Sequence, residues 1–259
     1  MNHLRLSTSG RVARITLHRP EVRNAFNDEL IAELTAAFTA AGQDAGVRAV
    51  VLAAEGPAFC AGADLNWMRR MAGYTPEENR ADAGRLAAML QAIARCPKPT
   101  VARVQGDVYA GGVGLVAACD LAVAVDGAQF CLSEARLGLV PATIGPYVVQ
   151  ALGLRAAQRY ALTAERFSAA EAHRIGLVHE VTAPDALDAQ VDAWLQALTT
   201  NGPEALRVGK ALLHDVAGAP LDAALVARTV DCIAQVRASA EGQEGVHAFL
   251  NKRKPAWLD

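Results

Sequence analysis

Four apolar, β-branched runs set the frame for this 259-residue chain: residues 12–17, 47–53, 100–105 and 121–125. Each has the length of a buried strand and ends in turn residues, and stretches of helix length lie between them. Residues 27–41 place Leu30, Ile31, Leu34 and Phe38 three and four apart behind Asn27, a suitable N-cap. Residues 75–94 open with Thr75, Pro76, Glu77 and Glu78, which puts a capping hydroxyl, a first-turn proline and a capping-box acid in order. Strands alternating with helices predict an α/β fold. From Pro146 onward the pattern is helical, with segments 146–161, 168–175, 184–199, 203–217 and 221–239 broken by Gly or Pro. No linker separates the two parts, so the helical end is expected to pack on the core or on a neighbouring subunit.

Composition narrows the classes. The chain is 52% hydrophobic and 20% charged, as a globular protein is, with no apolar run long enough to span a membrane. Its start lacks the apolar block of a signal peptide, which makes a cytoplasmic protein the expectation. Five cysteines without a CxxC pair read as reduced, mostly buried thiols. The net charge is -2 and the one basic block is Lys252, Arg253 and Lys254, so neither nucleic acid nor membrane is an expected partner. His173, His179, His214 and His247 lack metal-ligand spacing, and no metal is assigned.

Two corners are crowded with small residues: AFCAGADLNWM at 58–68 and VQGDVYAGGVGLVAACD at 104–120. Gly112, Gly114 and Ala117 fit a dinucleotide-binding fingerprint, with Glu134 as its ribose-binding acid. Against that, several residues separate the strand from the first fingerprint glycine, where a tight turn should follow directly, and Glu134 is not at a strand tip. The corners make better sense as a pair. If Ala63 and Gly111 each begin a helix, their N–H groups are unsatisfied donors at the positive end of a helix dipole. Two such donors converging on one point form an oxyanion hole, and small side chains let a carbonyl approach.

With these residues on the page, the chain resembles the enoyl-CoA hydratase/isomerase (crotonase) family from about Arg11 to Trp257. The resemblance is carried by FCAGADL, AGGVGLVAACDLAVA and AQFCLSEARLGLVP, supported by HRPEVRNAF, AERFSAAEAHRIGLVHEV and EGVHAFLNKRKPAW. Within the family it is similar to bacterial 3-methylglutaconyl-CoA hydratases. The resemblance implies a spiral of ββα units over residues 1–195 and a helical C-terminal region, 196–259, used in trimerisation, giving a homotrimer or homohexamer. It implies Ala63 and Gly111 as oxyanion-hole amides and an acyl-CoA substrate, with no separate cofactor. Substrate contacts are expected at Arg23, Ala25, Ala61, Asp64, Leu65, Trp67 and Gly114, although Asp64 also reads as a helix cap and Trp67 as core. Phe249 and Lys252, with Lys254, are expected to reach the CoA nucleotide.

Hydratases of this family carry two catalytic glutamates. Here Gly114 stands where the first would be, and Glu134 matches the second. Partial burial of Glu134 between Leu132 and Leu137 would raise its pKa and suit it to acid–base work. The loss of one carboxylate raises the Δ3,Δ2-enoyl-CoA isomerase reading and leaves a non-catalytic acyl-CoA-binding protein as a third. The subfamily likeness favours hydration of a branched enoyl-CoA. The space beside Gly114 is expected to hold substrate, water or another side chain, and Arg69, Arg70 or Arg136 to meet a terminal carboxylate of the acyl group.

Overall fold

The computed structural model describes residues 2–258. Met1 and Asp259, the outer ends of the two expected segments, lie outside them. The strands form two sheets. The larger is built from β1 (Leu4–Ser9), β2 (Val12–Leu17), β3 (Ala49–Ala54), β5 (Thr100–Val104), β7 (Leu121–Val125) and β10 (Glu180–Thr182), adjacent in that order. Only β1 and β2 pair antiparallel; every later pairing in this sheet is parallel. The smaller sheet has the order β4 (Ala58–Cys60), β6 (Asp107–Tyr109), β8 (Gln129–Cys131) and β9 (Phe167–Ser168), with β4, β6 and β8 parallel.

The chain alternates between the sheets. Each strand of the large sheet from β3 to β7 is followed by one of the small sheet and then by helix. Helices α2 (Leu65–Met71) and α3 (Pro76–Ala94) follow β4, α4 (Gly111–Ala118) follows β6, and α5 (Gly145–Thr163) comes after β8. This is the expected spiral of ββα units. β3 is buried along its whole length between β2 and β5, which is why its residues, 49–54, are apolar at every position and do not alternate.

Local signals explain the long helices. The Asn27 side chain accepts from the Leu30 amide to cap α1 (Asp28–Gln43), and Thr75 and Glu78 form the expected capping box on α3. α5 begins at Gly145 and is interrupted at Gly153, whose φ of 73° and ψ of 157° break the helical path. α6 (Ala169–Arg174) occupies the expected segment 168–175, and the segment at 184–199 starts as a 3-10 turn, Pro184–Ala186, before α7 (Leu187–Thr200).

Burial divides the chain. One hydrophobic cluster runs from Leu4 to Leu195. Beyond it, α8 (Pro203–Val216) has no buried residue, α9 (Ala223–Ala238) buries Leu225 and α10 (Ala240–Leu250) buries Ala248. Val226, Val230, Ile233, Phe249 and Leu250 stand exposed on these helices. Among the described residues no helix is long and apolar enough to cross a membrane.

Candidate active site

The three strands of the small sheet place the chemistry. β4, β6 and β8 are parallel neighbours, and within three residues of their C-terminal ends come Ala63, Gly111 and Glu134. A shared carboxyl edge of parallel strands is where α/β folds bind ligands, since the loops there are free to vary. All three residues are half-buried, so each retains a path to solvent.

Ala63 does not begin a helix, as the sequence suggested. It forms an isolated parallel bridge with Phe26, in which the Phe26 amide donates to Gly62 O at 2.8 Å and the Asp64 amide to Phe26 O at 3.0 Å. In a parallel bridge the central residue faces away from its partner, so the Ala63 N–H is left over. Gly111 is the first residue of α4, whose N-cap, Ala110, offers no side-chain hydrogen bond. Neither the Ala63 nor the Gly111 amide donates to an acceptor among the described residues.

The corners touch each other. A Cβ on Gly62, which has φ +87°, would come within 3.1 Å of Tyr109 O and Ala110 Cβ. A Cβ on Gly111 would lie 2.2 Å from Phe26 Cζ, the residue that bridges Ala63. Glycine is therefore required in both corners by approach distance, which accounts for the small-residue runs. Ala110 has φ 47° and ψ -122°, a conformation costly to a non-glycine residue, and it turns the chain from β6 into α4.

Glu134 opens a 3-10 turn, Glu134–Leu137, immediately after β8. Burial pushes its carboxyl above the usual range, an effect partly offset by a hydrogen bond from its own amide. Its Oε2 is buried without a hydrogen-bond partner among the described residues. A carboxyl in this state keeps its proton to higher pH than an exposed one, which suits it to both take up and give back a proton.

Several residues that the sequence placed against substrate are engaged in structural contacts. Asp64 is buried, caps α2 through the Asn66 and Trp67 amides, and pairs with Arg19 at 2.9 Å. Although its burial acts in the opposite sense, those amides and the Arg19 guanidinium hold its pKa below the ordinary value. Trp67 is core, its ring 6.0 Å from that of Phe26. Gly114 is buried, and the side-chain direction there runs into Ile144, whose Cγ2 would be 2.2 Å from an added Cβ. The space is thus taken by a side chain from elsewhere in the fold, one of its expected occupants. Ala25 is buried, Ala61 is tied by its amide to Arg23 O, and Arg23 and Leu65 remain exposed. Of the arginines, Arg70 is paired with Asp28, Arg69 is bound to Asn66, and Arg136 donates to the Ala164 carbonyl. Phe249, Lys252 and Lys254 sit at the end of α10, which packs on α8 and α9.

Sequence reasoning missed Arg19 and Asn24. Arg19 also donates to Ala25 O and so ties the 19–26 segment to the first corner. Asn24 is fully buried at φ 55°; its amide group donates to Glu55 O and Ala58 O, and its Oδ1 accepts from the Arg19 amide. An Asn four residues after a turn proline was the available signal, because Asn tolerates the left-handed region.

The description "Enoyl-CoA hydratase/isomerase" belongs to the family model that matches residues 7–259. The chain belongs to the enoyl-CoA hydratase/isomerase family. Among its relatives, the enoyl-CoA hydratase ACTT6 of Alternaria alternata is 35% identical over 94% of this chain and 80% of that protein. A crystal structure of an enoyl-CoA hydratase from Shewanella pealeana superposes with a TM-score of 0.96 at 41% identity, covering 98% of this chain and 96% of that one. One from Mycobacterium smegmatis gives 0.93 at 38% identity over 99% of both chains. The crotonase fold is therefore shared along the whole described chain. Enzymes of this family act on acyl-CoA substrates, so the two free amides and Glu134 are the natural place to look for a thioester and a proton carrier.

Proposed function

We propose that the protein adds water across the 2,3 double bond of an enoyl-CoA thioester, with a short branched acyl group such as 3-methylglutaconyl as substrate. The observation that carries this is the convergence of two unused amides and one desolvated, unpartnered carboxyl at the ends of three adjacent strands. The thioester oxygen would sit on the Ala63 and Gly111 N–H groups. Glu134 takes a proton from water as its oxygen bonds to the β-carbon, and the π electrons move to the thioester oxygen as an enolate. The two amides hold that charge, and each such donor is worth about 3–4 kcal/mol of barrier. Glu134 then returns the proton to the α-carbon, so that the elements of water are added and no net proton is lost. Coenzyme A enters as part of the substrate, and the scheme requires no other cofactor.

A Δ3,Δ2-isomerase is the second reading. It is favoured by Ile144 standing where a second carboxylate would have to fit beside Gly114. A 1,3-proton shift needs one base, and hydration by one base must use it twice. Assay of the purified protein on 2-enoyl-, 3-enoyl- and 3-methylglutaconyl-CoA thioesters separates the readings. Hydration of the branched glutaconyl thioester well above crotonyl-CoA is the expected result; double-bond migration without water addition would replace it by the isomerase, and binding without turnover by an acyl-CoA carrier.

The cytoplasmic setting and a homotrimer or homohexamer built through α8–α10 belong to the same proposal, supported by the exposed Val226, Val230, Ile233, Phe249 and Leu250. Light scattering on the purified protein reads the oligomer directly.

A further inference from the structure

The catalytic end of α4 is Gly111, and the other end opens on a cavity of about 640 Å³. Val116, Ala117, Tyr147, Ala151, Leu177 and Leu206 contribute to its wall. Val116 is five residues from Gly111, so the cavity begins roughly 7–8 Å along the helix axis from the proposed oxyanion hole. Volumes between about 300 and 1,000 Å³ are those of small-molecule sites.

Between the two along α4 lies the contact of Gly114 with Ile144. Helical spacing puts Gly114 on the same face of α4 as Ala117 and Ala118, and Ile144 on the same face of α5 as Tyr147 and Ala151. Further along, those faces line the cavity; at the catalytic end, Ile144 fills the notch at Gly114. Its Cγ2 and Cβ would stand 2.2 and 2.7 Å from a Cβ at position 114, and Leu90 closes the far side of the same notch. Ile144 is 2% exposed. The chain links it to Glu134 through one loop, residues 138–143.

We propose that Ile144, seated in the Gly114 notch between the Glu134–Gly111 site and the cavity at the far end of α4, sets the length of acyl chain the enzyme accepts. With Ile144 in place the acyl pocket ends short, which suits a compact branched acyl group. With it trimmed, the pocket joins a cavity able to take the unbranched alkyl tail of a medium- or long-chain 2-enoyl-CoA. An alkyl tail is the right chemistry for that space. The charged groups in its lining, Asp120 and Lys210, neutralise each other at 2.7 Å, and Asp120 also accepts from Thr100. Most of the remaining lining is aliphatic and small, with Gln150, His179 and His214 as further polar side chains in the wall. This inference rests on the acyl-CoA reading given above.

The test is the ratio of kcat/KM for 2-decenoyl-CoA to that for crotonyl-CoA. Ile144→Ala should raise the ratio about tenfold or more, the scale on which a hydrophobic pocket discriminates by small changes in volume. Ile144→Val, which removes one methyl and is mild on packing, should move it in the same direction by a smaller factor and serves if the alanine variant does not fold. Refilling the cavity with Ala117→Leu in the Ile144→Ala background should return the ratio towards wild type. An unchanged ratio in both Ile144 variants, a wild type that already prefers decenoyl-CoA, or no reversal by Ala117→Leu overturns the inference while leaving the hydratase reading in place. A wild type inactive on every enoyl-CoA overturns both.

Discussion

The corner that ends at Ala63 adds a side-chain brace to its backbone bridge, whereas the corner that ends at Gly111 relies on backbone and on the absence of side chains alone. At the first, Arg19 joins Ala25 O to Asp64, and Asp64 in turn caps α2. The Arg19 and Asp64 side chains are only 13% and 8% exposed, so the pair acts where water screens little. At the second, the Ala110 amide donates to Cys131 O at 2.8 Å, Ala110 itself is strained, and Gly111 and Gly112 fit against Phe26 and Cys60 with no room for a methyl group. Two ways of aiming an N–H should fail differently. A polar brace loses strength in proportion to what is removed, while a steric fit is lost at the first added atom.

The largest effect is expected where neither corner is touched. Glu134→Gln should lower kcat by about 10²–10⁴-fold while acyl-CoA affinity changes little, because both amides remain. A wild-type kcat/KM that rises with pH through a value above the ordinary carboxylate range should accompany it, since Glu134 must be ionised to accept a proton and burial delays that ionisation. The same shift has a stability sign. Burial penalises only the ionised form, so the penalty is absent below the unfolded carboxyl pKa and fully present above the raised folded one. Thermal melting should therefore show the Gln variant more stable than wild type at neutral pH and level with it near pH 3. Loss of acyl-CoA binding in this variant would move part of the binding from the corners to Glu134.

Gly111→Ala comes next. Its methyl cannot coexist with Phe26, and a displaced amide should cost about 10²–10³-fold in kcat. Adding Phe26→Leu to that variant makes room and should recover part of the loss. No recovery would mean that the second corner is not held by steric fit, and the contrast drawn above would fail. Asp64→Ala should act more gradually. Removing the cap and leaving Arg19 unpaired should destabilise the fold by about 2–4 kcal/mol, read by denaturant unfolding, with kcat down only about tenfold. A kinetic loss as large as that of Gly111→Ala would make the two corners equivalent. The smallest effect belongs to Ala110→Gly, which relieves the positive φ at the expense of a more flexible unfolded chain. A net gain of roughly 1 kcal/mol with kcat within a few-fold of wild type is expected from those opposed terms.

Legibility followed the range of the signal. Residues 121–125 and the caps at Asn27 and Thr75 were readable because a short apolar run and a helix cap are both signals contained within a few residues. Glu134 and the glycine corners were readable as chemistry through the family resemblance that their motifs carry together. β4, β6 and β8 were not, since three residues do not complete two periods of any pattern. Nor was α10, whose apolar residues are largely exposed and give no core face to detect.

The sequence by itself therefore determined the alternation of strand and helix, the capped ends of the long helices, the small-residue corners and the identity of the one carboxylate between them. Tertiary structure alone decided how the Ala63 amide in the first corner is left free, because that depends on a bridge to Phe26, 37 residues earlier in the chain. It decided that Asp64 braces Arg19 and that Ile144 closes the notch at Gly114. Contacts between residues far apart in the chain leave no periodic trace, and they are fixed only when two elements are packed densely enough that one methyl group decides the fit.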